Sequence, residues 1–228
     1  MAFSYTNTDA DSDNASLTST EVDSYQFTLY GDHDIDSRTY VNGMLAYTMS
    51  DVDTSRLVAG ATAKGAFDAN QFTTRVEVGR DYSYENATLT PNILGHWTHY
   101  DPDSYDETGA GGGGLRVAGD AVDIVELGVG VDASWLFRNS DGSYFSPELS
   151  AGYRYDFADD NVEMTSQFLA GGQSFKTQGF DPQQSTVDLG AGFTYYSTEN
   201  WELTTEYDYE WKEDFDSHAG MMRAAYRF

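Results

Sequence analysis

The side chains with the most chemistry to offer are charges separated by even numbers of residues: Arg75 and Glu77, Glu126 and Asp132, Glu148 and Arg154, Glu206, Asp208 and Glu210, and Arg223 and Arg227. An even spacing places each set on one face of an extended strand. Such a face cannot point into a dry core, where unpaired charge is expensive. Pointing into a wet bore, the acids and arginines can pair across it and keep it open. They can equally line a path and hold an inserted segment through salt bridges.

Catalytic patterns are absent from the sequence. It has no nucleophile elbow, no HExxH and no phosphate loop. None of His33, His96, His99 and His218 has local spacing to both an acid and a serine that suggests a triad. His96 and His99 lie three apart, so on a strand they point to opposite faces and cannot form a joint metal pair; each reads as a rim or loop residue. The glycine run 111–114 precedes no helix, lacks the dipole an anion site needs, and reads as a loop or strand start. Asp9, Asp11 and Asp13 have the opening spacing of a calcium loop, but Asn14 and Thr20 stand where Gly and Glu are required. The sequence therefore predicts no catalytic residue, no metal site and no cofactor.

The elements that must carry these charges are strands. Residues 201–212 alternate most clearly, with Trp201, Leu203, Thr205, Tyr207, Tyr209 and Trp211 on one face and Glu202, Thr204, Glu206, Asp208, Glu210 and Lys212 on the other. Aromatics at both margins of the apolar face suit the two interfaces of a bilayer. The same two-faced pattern runs through residues 186–197, 143–157, 125–137, 87–99, 72–82, 40–49 and 24–33, and through the terminal 218–228. Residues 1–7 read as part of another strand. Asp141-Gly142 marks a hairpin turn. About ten strands joined by alternating tight and long connections predict an all-β, antiparallel, up-and-down transmembrane barrel forming one domain over 1–228.

Composition supports this and excludes other classes. Aromatics make up 15% of the 228 residues, with 17 Tyr and 13 Phe. No run approaches the roughly 18 apolar residues of a membrane helix, whereas barrel strands carry only a weak hydropathy signal. Twelve basic against 38 acidic residues give a net charge of -26, which argues against nucleic acid as a partner. The acids collect in segments 9–13, 101–107, 156–163 and 213–216, which read as solvated loop charge, with divalent-cation binding near lipopolysaccharide as the sharper alternative. With zero Cys, no disulfide or thiolate site is available.

The order of local signatures is more specific than any one of them. Asp23-Ser-Tyr-Gln-Phe-Thr-Leu-Tyr-Gly31 is followed by Tyr40-Val-Asn-Gly43, Phe72-Thr-Thr-Arg-Val-Glu-Val-Gly79, Leu89-Thr-Pro91 and Tyr105-Asp-Glu-Thr-Gly-Ala-Gly111. Then come Pro147-Glu-Leu-Ser-Ala-Gly-Tyr-Arg154, Asp188-Leu-Gly-Ala-Gly192, Ser217-His-Ala-Gly220 and the final Tyr226-Arg-Phe228. Together they resemble the C-terminal translocator domain of autotransporters, the type V secretion proteins.

That resemblance implies a 12-stranded barrel in the outer membrane of a Gram-negative bacterium, whose lumen holds a helical linker to an exported N-terminal passenger. It starts at what looks like the family's third strand, so the chain is expected to be N-terminally truncated, lacking two strands and the lumenal helix. The resemblance also implies that Phe228 and Tyr226 form the assembly signal read by the β-barrel assembly machinery, and that lipid, lipopolysaccharide and the chain's own passenger or linker are its partners. Self-cleavage at the linker is not carried over, since no matching linker is present. The alternatives are a small porin or structural barrel, an omptin-like outer-membrane protease and, at the level of fold, a soluble β-sandwich.

Overall fold

In the computed structural model, residues 1–12, 18–158, 163–178, 183–213 and 215–227 are described. The calcium-like Asp13 and the terminal Phe228 therefore lie outside the described residues. Ten strands make a continuous antiparallel wall in chain order: β1 (Ala2–Asp11), β2 (Ser19–Asp34), β3 (Thr39–Val58), β4 (Ala61–Arg80), β6 (Ala87–Pro102), β9 (Val122–Trp135), β11 (Tyr144–Asp156), β14 (Ser185–Tyr196), β15 (Trp201–Lys212) and β16 (Phe215–Tyr226). Two short pieces, β5 (Tyr82–Tyr84) on β6 and β10 (Phe137–Arg138) on β11, extend it. The wall is an up-and-down meander that curls into a half-barrel, with β1 and β16 at its ends.

Alternation decides which residues go where. Along β9 and β11 the register sets Leu127 opposite Tyr155, Val129 opposite Tyr153 and Val131 opposite Ala151 on one face, with Glu126 opposite Asp156 and Asp132 opposite Ser150 on the other. The first face continues through Phe72, Val76, Ile93, Trp97, Leu149, Leu189, Tyr207 and Trp211, all large apolar or aromatic side chains open to the surroundings. Val129 and Ile93 are 60% and 64% exposed, values no soluble core would give. The opposite face is the concave one, because Arg154 on β11 reaches Glu210 on β15 across the intervening β14.

Strand limits follow the sequence closely at one end of the wall and depart from it at the other. Turns 35–38, 85–86, 139–142 and 197–200 are tight, and Asp141 fixes one of them by accepting bonds from the Ser143 backbone N–H at 2.9 Å and hydroxyl at 2.7 Å. At the far end, β3 and β4 run on to 20 residues each and meet in a two-residue turn, Ala59-Gly60, with both residues at positive φ. The connection from β15 to β16 is also short. The expected alternation of tight and long connections therefore fails at 59–60 and 213–214 and holds at 103–121 and 157–184. Residues 72–82 are likewise not one strand, since β4 ends at Arg80 and β5 begins at Tyr82.

The two long connections fold onto each other. They form a second antiparallel sheet in the order β13 (Phe175–Gln178), β12 (Glu163–Phe168), β8 (Leu115–Gly119) and β7 (Tyr105–Asp106). The glycine run 111–114 makes a single 3-10 turn and then enters β8. Nor are the acidic stretches all loop: Asp9 and Asp11 sit within β1 and pair across to Glu21 and Ser19. Glu107 and Asp156 are buried.

Candidate functional site

The concave face is built around Arg154. Its Nε and Nη2 donate to the two carboxylate oxygens of Asp188 on β14, both at 2.8 Å. Its Nη1 donates to Glu126 on β9 at 3.0 Å, and Nη2 also reaches Glu210 on β15 at 2.6 Å. One guanidinium thereby ties together four consecutive strands. The planar fork of an arginine is needed for this, because a lysine presents one point charge and no fixed pair of donors. Lys212 approaches Glu210 at 3.7 Å and adds a second cation to the cluster.

His96 joins the same network, with its Nδ1 2.7 Å from Glu126. This corrects its reading as a rim or loop residue: the register pairs His96 with Glu126 in mid-wall, and inward direction follows. His99, within the same strand, points to the opposite face from His96, as their spacing requires, and meets Asp123 at 3.0 Å, beside Trp97, whose indole N–H donates to the same carboxylate at 2.9 Å. His218 is also on the outer face, against Tyr207 and Asp216. No histidine here is joined to both a serine and an acid.

Two further groups occupy the concave face. Near the tight-turn end, Glu202 is almost fully buried and accepts from Arg223 on the final strand and from Arg227 just past its end, both at 2.6 Å. These bonds lock the last strand to its neighbour. Towards the middle, Asp132, Glu148, Glu206 and Asp208 line a recess of about 370 Å³ floored by Gly190 and Gly192. Asn92 donates to Asp132 at 2.7 Å. Arg75 and Glu77 pair with each other along β4 at 3.1 Å. The sequence-derived charges thus share one face, but they divide into an arginine-centred network, a terminal lock and an acid-rich recess. Asp188 and Glu202, which the alternation also turns inward, prove as central as any residue singled out from sequence.

Among the described residues no group of three or more His, Cys, Asp or Glu is placed to hold a metal ion. The network is saturated with its own hydrogen bonds and offers no nucleophile. The face is polar through its middle and tight-turn end, where the charges stand, and carries small apolar side chains and the Phe67–Tyr105 stack towards the β3–β4 hairpin.

A polar concave face, an apolar convex face and an up-and-down meander define an outer-membrane type of β-barrel wall. The chain matches the autotransporter β-domain family over residues 1–208 and belongs to it. Its role is that of an outer-membrane translocator domain. Among solved structures it is similar to the translocator domain of the autotransporter NalP from Neisseria meningitidis, with 17% identity over 92% of this chain and 69% of that one and a TM-score of 0.72. It is similar also to the transport unit of the autotransporter AIDA-I from Escherichia coli, with 14% identity over 92% of this chain and 84% of that one and a TM-score of 0.51. Both likenesses speak to the fold. No curated protein matches the chain.

Proposed function

We propose that the wall is inserted in a Gram-negative outer membrane and that its concave face lines the passage through which an N-terminal passenger reaches the cell surface. The convex apolar side chains contact lipid, and the end carrying the 20-residue hairpin and the second sheet faces outward. The observation that carries this reading is the Arg154 network: a buried-quality set of ion pairs on a face that remains accessible to water, opposite a face whose large apolar residues are left uncovered. A soluble sandwich would bury the second face and hydrate the first.

The chain does no covalent chemistry in this reading, and its partners are lipid, lipopolysaccharide and its own passenger or linker. The β-barrel assembly machinery reads the terminal strand through Phe228 and Tyr226; Tyr226 packs its ring against Trp201 at 5.1 Å on the convex side, where a membrane-embedded partner can reach it. Deleting Phe228 is expected to lower outer-membrane insertion severalfold, read by detergent extraction and heat-dependent gel migration. The delivery role itself is tested by expressing the complete gene and treating intact cells with protease. Loss of the passenger signal from intact cells supports the reading, and a passenger protected until the cells are lysed contradicts it.

A further inference from the structure

On the convex face one contact recurs in each pair of strands joined at the end far from the tight turns. Tyr5 on β1 donates its hydroxyl to Asp23 on β2 at 2.6 Å, and Tyr47 on β3 donates to Asn70 on β4 at 2.7 Å. The Trp97 indole on β6 donates to Asp123 on β9 at 2.9 Å. Tyr153 on β11 meets the Ser185 hydroxyl on β14 at 2.9 Å, and Tyr207 on β15 meets the His218 ring on β16. Each time the polar partner stands opposite the residue two places nearer the far end than the aromatic one: Asp23 faces Asn7, Asn70 faces Met49, Asp123 faces His99, Ser185 faces Tyr155 and His218 faces Tyr209. The same diagonal is used in all five, as a twist of constant hand between neighbouring strands allows.

Five such contacts make one level only if the strands tilt by the right amount. The ladder row through Tyr5 crosses β3 at Met49, two residues beyond Tyr47, and the row through Tyr47 crosses β6 at His99, two beyond Trp97. The row through Tyr153 crosses β6 at Ile93, four short of Trp97, and the row through Tyr207 crosses β11 at Leu149, four short of Tyr153. The stagger runs one way throughout. It averages about 1.5 residues per strand, which, at a rise of about 3.3 Å and a strand spacing of about 4.8 Å, is a tilt of about 45°. Strands of membrane barrels tilt by this amount, so the five contacts fall on one ring perpendicular to the barrel axis.

The ring separates two kinds of convex surface. On β4 only Val78, Val76, Thr74 and Phe72 stand on this face between Arg80 and Asn70, and β2 has the same ten-residue interval between His33 and Asp23. On strands so tilted this interval is about 23 Å of height, close to the roughly 25 Å apolar band of a membrane barrel. Beyond the ring charge takes over, with Asp51, Asp53 and Asp68 on the convex side of β3 and β4. The wall itself goes on past this point. β7, β8, β12 and β13 continue β6, β9, β11 and β14, and Lys64 and Thr108 exchange two backbone hydrogen bonds of 2.8 Å that join these pieces to the edge of β4. Their convex ion pairs, Arg116 with Asp106 at 2.8 Å and Lys176 with Glu163, stand in the open.

We propose that this ring is where the convex face leaves the acyl chains of the outer leaflet and meets its head groups, and that the wall beyond it, residues 51–68 with the four short pieces, stands in water as a collar. A phenol or indole at a membrane boundary offers an apolar body to the chains and a polar tip to the head groups. Here each tip is bonded across to the next strand, which sets a carboxylate, amide, hydroxyl or imidazole at the boundary and gives five strand pairs one height. The proposal rests on the translocator reading above and adds the depth at which the barrel sits.

The sequence has no cysteine, so single substitutions report depth without background. In outer membranes from cells carrying the complete gene, D51C and D68C should react with a hydrophilic maleimide at least about tenfold faster than L45C and V76C, because the reacting thiolate needs water. Leu45 and Val76 are 47% and 49% exposed on the same face of the same strands, so cover by the protein itself would not explain their protection. Equal rates at all four positions in an inserted barrel, or protection at 51 and 68, would overturn the proposal. If one of these substitutions impairs insertion, I93C against D101C on β6 makes the same comparison, with the same outcomes deciding. In intact cells 51 and 68 should label from outside; labelling there only after lysis would overturn the assignment to the outer leaflet. Absence of the unsubstituted protein from the membrane fraction would instead count against the translocator reading.

Discussion

Arg154 and Asp141 show how much a single side chain can carry in this wall. Arg154 spans four strands through Glu126, Asp188 and Glu210, and Glu126 is only 3% exposed. Removing the guanidinium leaves that carboxylate without its arginine. R154A should destabilise the barrel by about 3 kcal/mol, measured as a lower temperature for the shift between folded and unfolded gel bands. R154K should fall between the two, because it keeps the charge and loses the fork.

Asp141 makes a prediction about acid. Its carboxyl is held below the ordinary range first by the Ser143 hydroxyl and then by the Ser143 N–H. The turn's stabilisation is therefore complete above about pH 4, the ordinary aspartate value, and is lost as pH falls through the lower folded value. Exchange of the Ser143 amide should be flat from neutral pH down to about 4 once the intrinsic rate is divided out, then accelerate; D141N should abolish that step. At this scale the sequence is half legible. The inward direction of Arg154 is written in its alternation with Tyr153 and Tyr155, but its partners depend on register across strands up to 56 residues away, which no local spacing encodes.

The strand is the scale at which the sequence speaks most plainly. Residues 201–212 match β15 at both ends, because one face is all charge or threonine and the other is apolar or aromatic throughout except for one threonine. The upper parts of β3 and β4 were not legible, since Asp51, Asp53 and Asp68 stand where an apolar face would be expected and mimic loop composition. The register explains them: Asp51 is opposite Asp68 on the convex side, past Leu45, Tyr47 and Met49, which make that face apolar nearer the tight-turn end. The second sheet escaped for a different reason. Its pieces are two to six residues long, too short to show a period, and its anchor joins Arg56 to Glu107 across 51 residues. Where the period is long enough to read, it also predicts tolerance. V129R, on the convex face at the middle of β9, should cost about 2–4 kcal/mol. D208N, on the concave face, should cost far less, since it keeps the shape and faces water. Refolding into lipid bilayers with urea titration distinguishes these, and equal costs would mean that the two faces are not lipid and water.

For the whole molecule, the central claim is that one polar, concave surface built from β3 to β16 is the path taken by an exported chain. The chain's net charge of -26 and the acid-rich recess of Asp132, Glu148, Glu206 and Asp208 on that surface suit a path that repels like-charged segments. The fold class was recoverable from the sequence because ten strands repeat one pattern, and the family followed from the order of short signatures that are individually weak. Ser150 and Leu149 are adjacent on β11 and point to opposite faces. Site-specific photo-cross-linking from these two positions, in cells expressing the complete gene with its export slowed, is the most direct measurement. The account predicts passenger adducts from position 150 and none from 149; adducts from neither, or from both alike, would contradict it.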